Sequence, residues 1–109
     1  MLKDQYGTNL NIGDFITYPQ RAGSSIWMNT AMILEFGEYE DSWSNEKYPN
    51  LKVEILEESW ARGLKPGERI PVSRKATLTR LDRLTKIDNA LVIERLREHV
   101  AKSIKNNTL

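Results

Sequence analysis

Apolar and polar positions alternate in short runs along most of this chain, and the period lengthens only near the end. Phe15-Ile16-Thr17-Tyr18 follows the turn Asn11-Ile12-Gly13-Asp14 and predicts a β-strand ended by Pro19. Arg21-Ala22-Gly23-Ser24-Ser25 reads as a flexible turn. The longest apolar stretch runs from Ile26 to Phe36. A strand fits it better than a helix, because turn signals flank it and Gly37 closes it. Residues 37–50 mix Gly, Asp, Ser, Asn and Pro with acids and predict a long polar loop. Leu51, Val53 and Ile55 then alternate with Lys52 and Glu54, the period of a half-buried strand.

Beyond that strand, Glu57 to Gly63 reads as one helical turn stopped by Gly63, and Lys65-Pro66-Gly67-Glu68 as a tight turn. Two strands are expected around Ile70–Val72 and Ala76–Thr79. Leu81, Leu84 and Ile87 recur every three residues, which a 3₁₀ turn at Leu81-Asp82-Arg83 and a short strand Leu84–Ile87 would produce. Asp88 is the expected N-cap of a last helix. Val92, Leu96, Val100 and Ile104 recur every four residues with Ile93 beside them, one apolar stripe of a helix. Glu98 precedes Lys102 by four, the favourable order for a surface pair, and the tail Asn106–Leu109 should fray.

Four to five short strands, a 3₁₀ turn before the last one and a closing helix resemble the SH3-like small barrels. The expected fold is therefore mostly β: a small SH3-like barrel over residues 1–87, with the resemblance itself covering 12–87. A C-terminal amphipathic helix, 88–109, would pack on it within a single domain. The string Gly13-Asp14-Phe15-Ile16-Thr17-Tyr18-Pro19, with Arg21, Gly23-Ser24 and Trp27, is similar to small uncharacterised bacteriophage-encoded proteins. That resemblance implies a viral origin and no particular chemistry.

Composition narrows the function classes. The chain has 109 residues, enough for one core without staples, and no cysteine, so no disulfide framework, thiolate metal site or cysteine nucleophile is expected. No apolar run approaches the ~20 residues of a membrane-spanning helix, and Met1 to Gly7 lacks the apolar stretch of a signal peptide. A cytoplasmic chain with no membrane partner is the expectation. The single histidine, His99, has Arg95 and Lys102 as helical neighbours and no evident orienting partner, which argues for a surface residue rather than a general base. Glu57 with Glu58, and Glu40 with Asp41, are adjacent carboxylates that a strand would send to opposite faces. No phosphate loop, nucleophile elbow or metal motif is present. The sequence thus predicts no enzyme, no cofactor and no metal.

Charge is unevenly laid out although the formal total is only +1. From Glu35 to Glu58 eight acids stand against two lysines, and from Trp60 to Leu109 twelve Lys/Arg stand against five acids. Such asymmetry bears on partners rather than on fold. In the acidic segment Tyr39, Trp43 and Tyr48 are interleaved with Glu38, Glu40, Asp41 and Glu46, and Trp60 lies just beyond it. Aromatic rings with polar handles are common interface anchors, so these four are the candidate protein-binding residues. In SH3-like barrels a long early loop often helps form the ligand groove, which the resemblance carries to this stretch. Trp43 also reads as a lid on the core, Trp60 as a cap on the barrel end, and Phe36 and Trp27 as core. The basic half offers Arg69, Arg74, Lys75, Arg80 and Arg83 as candidate nucleic-acid contacts, or as a solvated face. The leading expectation is a binding module that contacts a host protein through its acidic aromatic loop. The alternatives are nucleic-acid binding by the basic half and a homodimer formed through the C-terminal helix.

Overall fold

The structure, a computed structural model, describes residues 2–59, 64, 65 and 67–107, with side chains in the last helix described as far as Lys102. Five antiparallel strands form one open sheet in the order β4-β3-β2-β1-β5. They are β1 (Phe15–Ala22), β2 (Ser25–Glu40), β3 (Lys47–Glu58), β4 (Ile70–Leu78) and β5 (Thr85–Lys86). A 3₁₀ turn at Leu81–Arg83 precedes β5, and the helix α1 (Ala90–Asn107) follows it. The architecture is thus mostly β with one C-terminal helix, and its sheet is not closed: β4 and β5 are its two edges.

Each face of the sheet carries its own apolar cluster. On one face Ile16, Tyr18, Ala31, Ile33, Val53 and Ile55 are buried under Leu10 and Leu84 from the segments that flank the sheet. On the other, Phe15 and Leu56 are buried against Leu96 of α1, with Met32, Val92 and Val100 around them. Consecutive residues such as Phe15 and Ile16 are therefore both buried, because both faces are covered. Register shifts at Leu56 put one extra residue into the β2 pairing just where β3 passes from one cluster to the other. The apolar stripe of α1 faces its own sheet: Leu96 is 0% exposed. Ile104, the last residue of the expected stripe, lies outside the described side chains.

Several expected boundaries shift, each for a local reason. Pro19 does not end β1, which runs on to Ala22. Since β5 pairs with β1 only at Ile16 and Thr17, Pro19 lies on a free edge where a missing N–H breaks no ladder. Gly23, at φ 61°, then takes the first central position of a two-residue turn between Ala22 and Ser25. Residues 37–50 are not a long loop. Gly37 to Glu40 pair with Asn50 to Lys47, and only the short tip between Glu40 and Lys47 lies outside the strands. Gly37 sits inside β2 rather than at its end, because a Cβ there would run into the Asn50 amide oxygen on the facing strand. The two strands expected around Ile70 and Ala76 are one, β4, and Glu57 and Glu58 belong to β3 rather than to a helical turn. The remainder of that turn, residues 60–63, lies outside the described residues. The helix cap is one residue later than Asp88: Asn89 Oδ1 accepts the backbone N–H of Leu91 at 3.0 Å and of Val92 at 3.2 Å.

The N-terminal segment is pinned by one carboxylate. Asp4 Oδ1 accepts the N–H groups of Tyr6 and Thr8, and Oδ2 accepts that of Lys86 at 2.8 Å, tying the first turn to β5. Burial opposes ionisation of Asp4, but the backbone donors of Lys86, Thr8 and Tyr6 together outweigh it and hold the carboxyl below its ordinary value. A carboxyl depressed in the folded state stabilises the fold in full above the unfolded-state value. That contribution is lost as pH falls through the folded-state value. Asp4→Asn is therefore expected to cost about 1–2 kcal/mol at neutral pH. In urea titrations the gap to the parent chain should narrow in acid, where the parent carboxyl is itself protonated.

Candidate functional site

Two surfaces bring sequence-predicted residues together. The first is the end of the β2–β3 hairpin. Tyr39 and Tyr48 are direct cross-strand partners, with ring centroids 5.5 Å apart and planes tilted by 31°. Between them the chain turns through Asp41 to Glu46, and Asn45 takes a left-handed conformation at φ 58°. Asp41 organises the turn: its Oδ1 accepts the Trp43 N–H at 3.0 Å and its Oδ2 accepts the Ser44 hydroxyl at 3.2 Å. Glu46 accepts the Tyr48 hydroxyl at 2.7 Å. Two of the acids that gave the segment its charge thus brace the tip. Trp43, at its apex, is 95% exposed, so it is not a lid on the core. Phe36, expected in the core, is 40% exposed on the hairpin stem, although its cross-strand partner Leu51 is buried. Trp60 lies outside the described residues.

The second surface is a double cleft on the face away from α1. Two adjoining hollows of about 520 and 320 Å³ share Tyr18, Gln20, Thr77 and Leu78 as walls. Trp27 and Arg74 complete the first, and Arg21, Arg80 and Arg83 the second. A polar chain crosses its floor. Trp27 Nε1 donates to Asn29 Oδ1 at 2.9 Å, and Asn29 Nδ2 and Arg74 Nη2 both donate to Gln20 Oε1. Arg74 also forms an ion pair with the buried Glu58. Burial pushes the Tyr18 phenol up, against a smaller opposing effect of its hydrogen bond with Asn29. Trp27 is therefore a half-buried wall of the cleft rather than a core residue.

The basic candidates do not form one patch. Arg74, Arg80 and Arg83 line the cleft; Lys75 lies on the opposite face beside Lys52 and Glu35. Arg69 stands apart before β4 and donates to the Glu68 carbonyl. Nor is the charge asymmetry wholly presented to solvent. Glu57 and Glu58 point to opposite faces and pair with Arg95 and Arg74 respectively, while Glu35 pairs with Lys52 at 3.1 Å. The Glu57 carboxylate holds the Arg95 guanidinium above its ordinary value. Arg21, Gln20 and Trp27 were not among the candidates. Arg21 belongs to the charge-balanced first third of the chain, and only the pairing of Gln20 with Trp27 and of Ile55 with Arg74 carries them to the same place.

Among the described residues no three histidine or carboxylate side chains converge on one point, and no helix is long and apolar enough to cross a membrane. Comparison of the chain with family models, with curated proteins and with solved structures found no match.

Proposed function

We propose that this chain is a non-enzymatic protein-binding module that holds its partner through the tip of the β2–β3 hairpin, with Trp43 as anchor and Tyr39 and Tyr48 as its base. One observation carries the reading: a tryptophan 95% exposed at the apex of a turn that its own side chains brace. A large ring held in solvent does nothing for the fold, whereas a pre-ordered ring loses little entropy on docking. We propose further that the sheet is a splayed SH3-like barrel. The strand order β4-β3-β2-β1-β5 and the 3₁₀ turn before β5 support this. The likeness of Gly13 to Pro19 to phage-encoded proteins makes a host protein in the cytoplasm the partner class.

The test is capture from nuclease-treated bacterial lysate on immobilised parent and Trp43→Ala chains. A protein enriched on the parent and lost from the variant is the expected result. The same proteins on both surfaces would contradict the reading.

A further inference from the structure

We infer that the double cleft is a separate binding site for single-stranded nucleic acid, with Arg21, Arg80 and Arg83 as its phosphate contacts. This does not depend on the hairpin reading. Four arginines line the two hollows, and among the described lining residues there is no aspartate or glutamate. Two of the four are committed to carboxylates in different degrees. Arg74 is held by Glu58, which is itself buried, so it shapes the floor. Arg80 donates to both oxygens of Asp82 at 3.3 Å, but both side chains are exposed, so a phosphate can compete with the carboxylate for the guanidinium. Among the described residues Arg21 donates only to the Gly23 carbonyl, and Arg83 stands in the 3₁₀ turn at the cleft's other wall. The cleft therefore has Arg21 on one side and, on the other, Arg80 and Arg83, two guanidinium groups that share the single carboxylate of Asp82.

The chemistry favours a nucleic-acid strand over an acidic peptide. All four cations are arginines, whose planar fork takes two oxygens of a phosphate or of a carboxylate at once, so the aromatic wall decides between them. Trp27 gives the hollow an aromatic wall, and Gln20, Thr77 and Thr79 add hydrogen-bonding groups along it. Phosphate contacts beside aromatic surface are the arrangement that single strands use. Hollows of this size accept one exposed base or sugar rather than a duplex.

The experiment is fluorescence anisotropy of a short labelled oligothymidylate, with a labelled polyglutamate peptide as the competing anion. Arg21→Gln/Arg83→Gln removes two contacts from exposed positions, and Arg69→Gln/Lys75→Gln removes two cations outside the cleft. With three phosphate contacts the parent should lose about 20-fold in affinity between 50 and 200 mM salt. The cleft variant, left with one, should bind at least tenfold more weakly and lose only about threefold over that range. The control variant should keep the parent's salt dependence. Circular dichroism establishes that each variant is folded, and single Arg21→Gln and Arg83→Gln chains replace any double variant that is not. No binding of the oligonucleotide, equal binding of polyglutamate, or a loss confined to the Arg69/Lys75 variant would each overturn the assignment.

Discussion

Leu96→Ala should destabilise the chain by roughly 2–5 kcal/mol, the range for truncating a fully buried leucine. The upper part of that range is expected here. Leu96 is 0% exposed and, among the described residues, packs with the buried Phe15 and Leu56 and the partly buried Met32, Val92 and Val100. Phe15 and Leu56 are fixed on strands whose register is set by their neighbours, so the cavity cannot close by a small shift. A domain of this size has about 5–15 kcal/mol in total, so the loss is a large fraction of its stability. Urea unfolding of parent and variant measures it. Sedimentation of both should show monomers, because the stripe faces its own sheet. If the variant changed from dimer to monomer while keeping the parent's stability, the helix would be pairing two chains instead.

Trp43→Ala should do the opposite: leave folding alone and weaken binding. The ring is almost wholly in solvent, and the bonds that shape its turn run from the Trp43 backbone N–H and the Ser44 hydroxyl to Asp41. Removing the ring leaves all of them in place, and surface changes of this kind alter stability by about 0.5 kcal/mol or less. An interface anchor, by contrast, typically contributes about 2 kcal/mol or more, which is ~30-fold in Kd. Asp41→Ala is the informative companion. It keeps the ring but removes the brace, so an intermediate loss of affinity with little loss of stability is expected.

The legible parts of this fold were those where one face is buried and the other is wet. Leu51, Val53 and Ile55 alternate because β3 lies over one cluster there, and the stripe of α1 is visible because only one side of the helix meets the sheet. The 3₁₀ turn at Leu81–Arg83 showed as a spacing of three. What stayed hidden lacks that contrast. The hairpin arms Glu38–Glu40 and Lys47–Pro49 project past the core, so their strands have no apolar period and resemble a loop. In β4 the polar run Ser73-Arg74-Lys75 masks an alternation that continues through Val72, Ala76 and Leu78, because Arg74 occupies the place where the inner face opens into the cleft.

The sites were legible to different depths for the same reason. Tyr39, Trp43 and Tyr48 are close in sequence, and a hairpin keeps close residues together. The cleft joins residues from β1, β2, β4 and the 3₁₀ turn, which no local count of charge can assemble. Charge layout also overstated what solvent meets, since Glu57 and Glu58 are buried in pairs with arginines from the basic half.

The central claim is that the hairpin tip binds without contributing to the fold. Its most direct test is the affinity of the captured protein for parent and Trp43→Ala chains whose melting temperatures agree, measured at low and high salt. A loss of about 30-fold or more in the variant, with only a weak salt dependence in the parent, is the predicted result. Equal affinities for the two chains would contradict it.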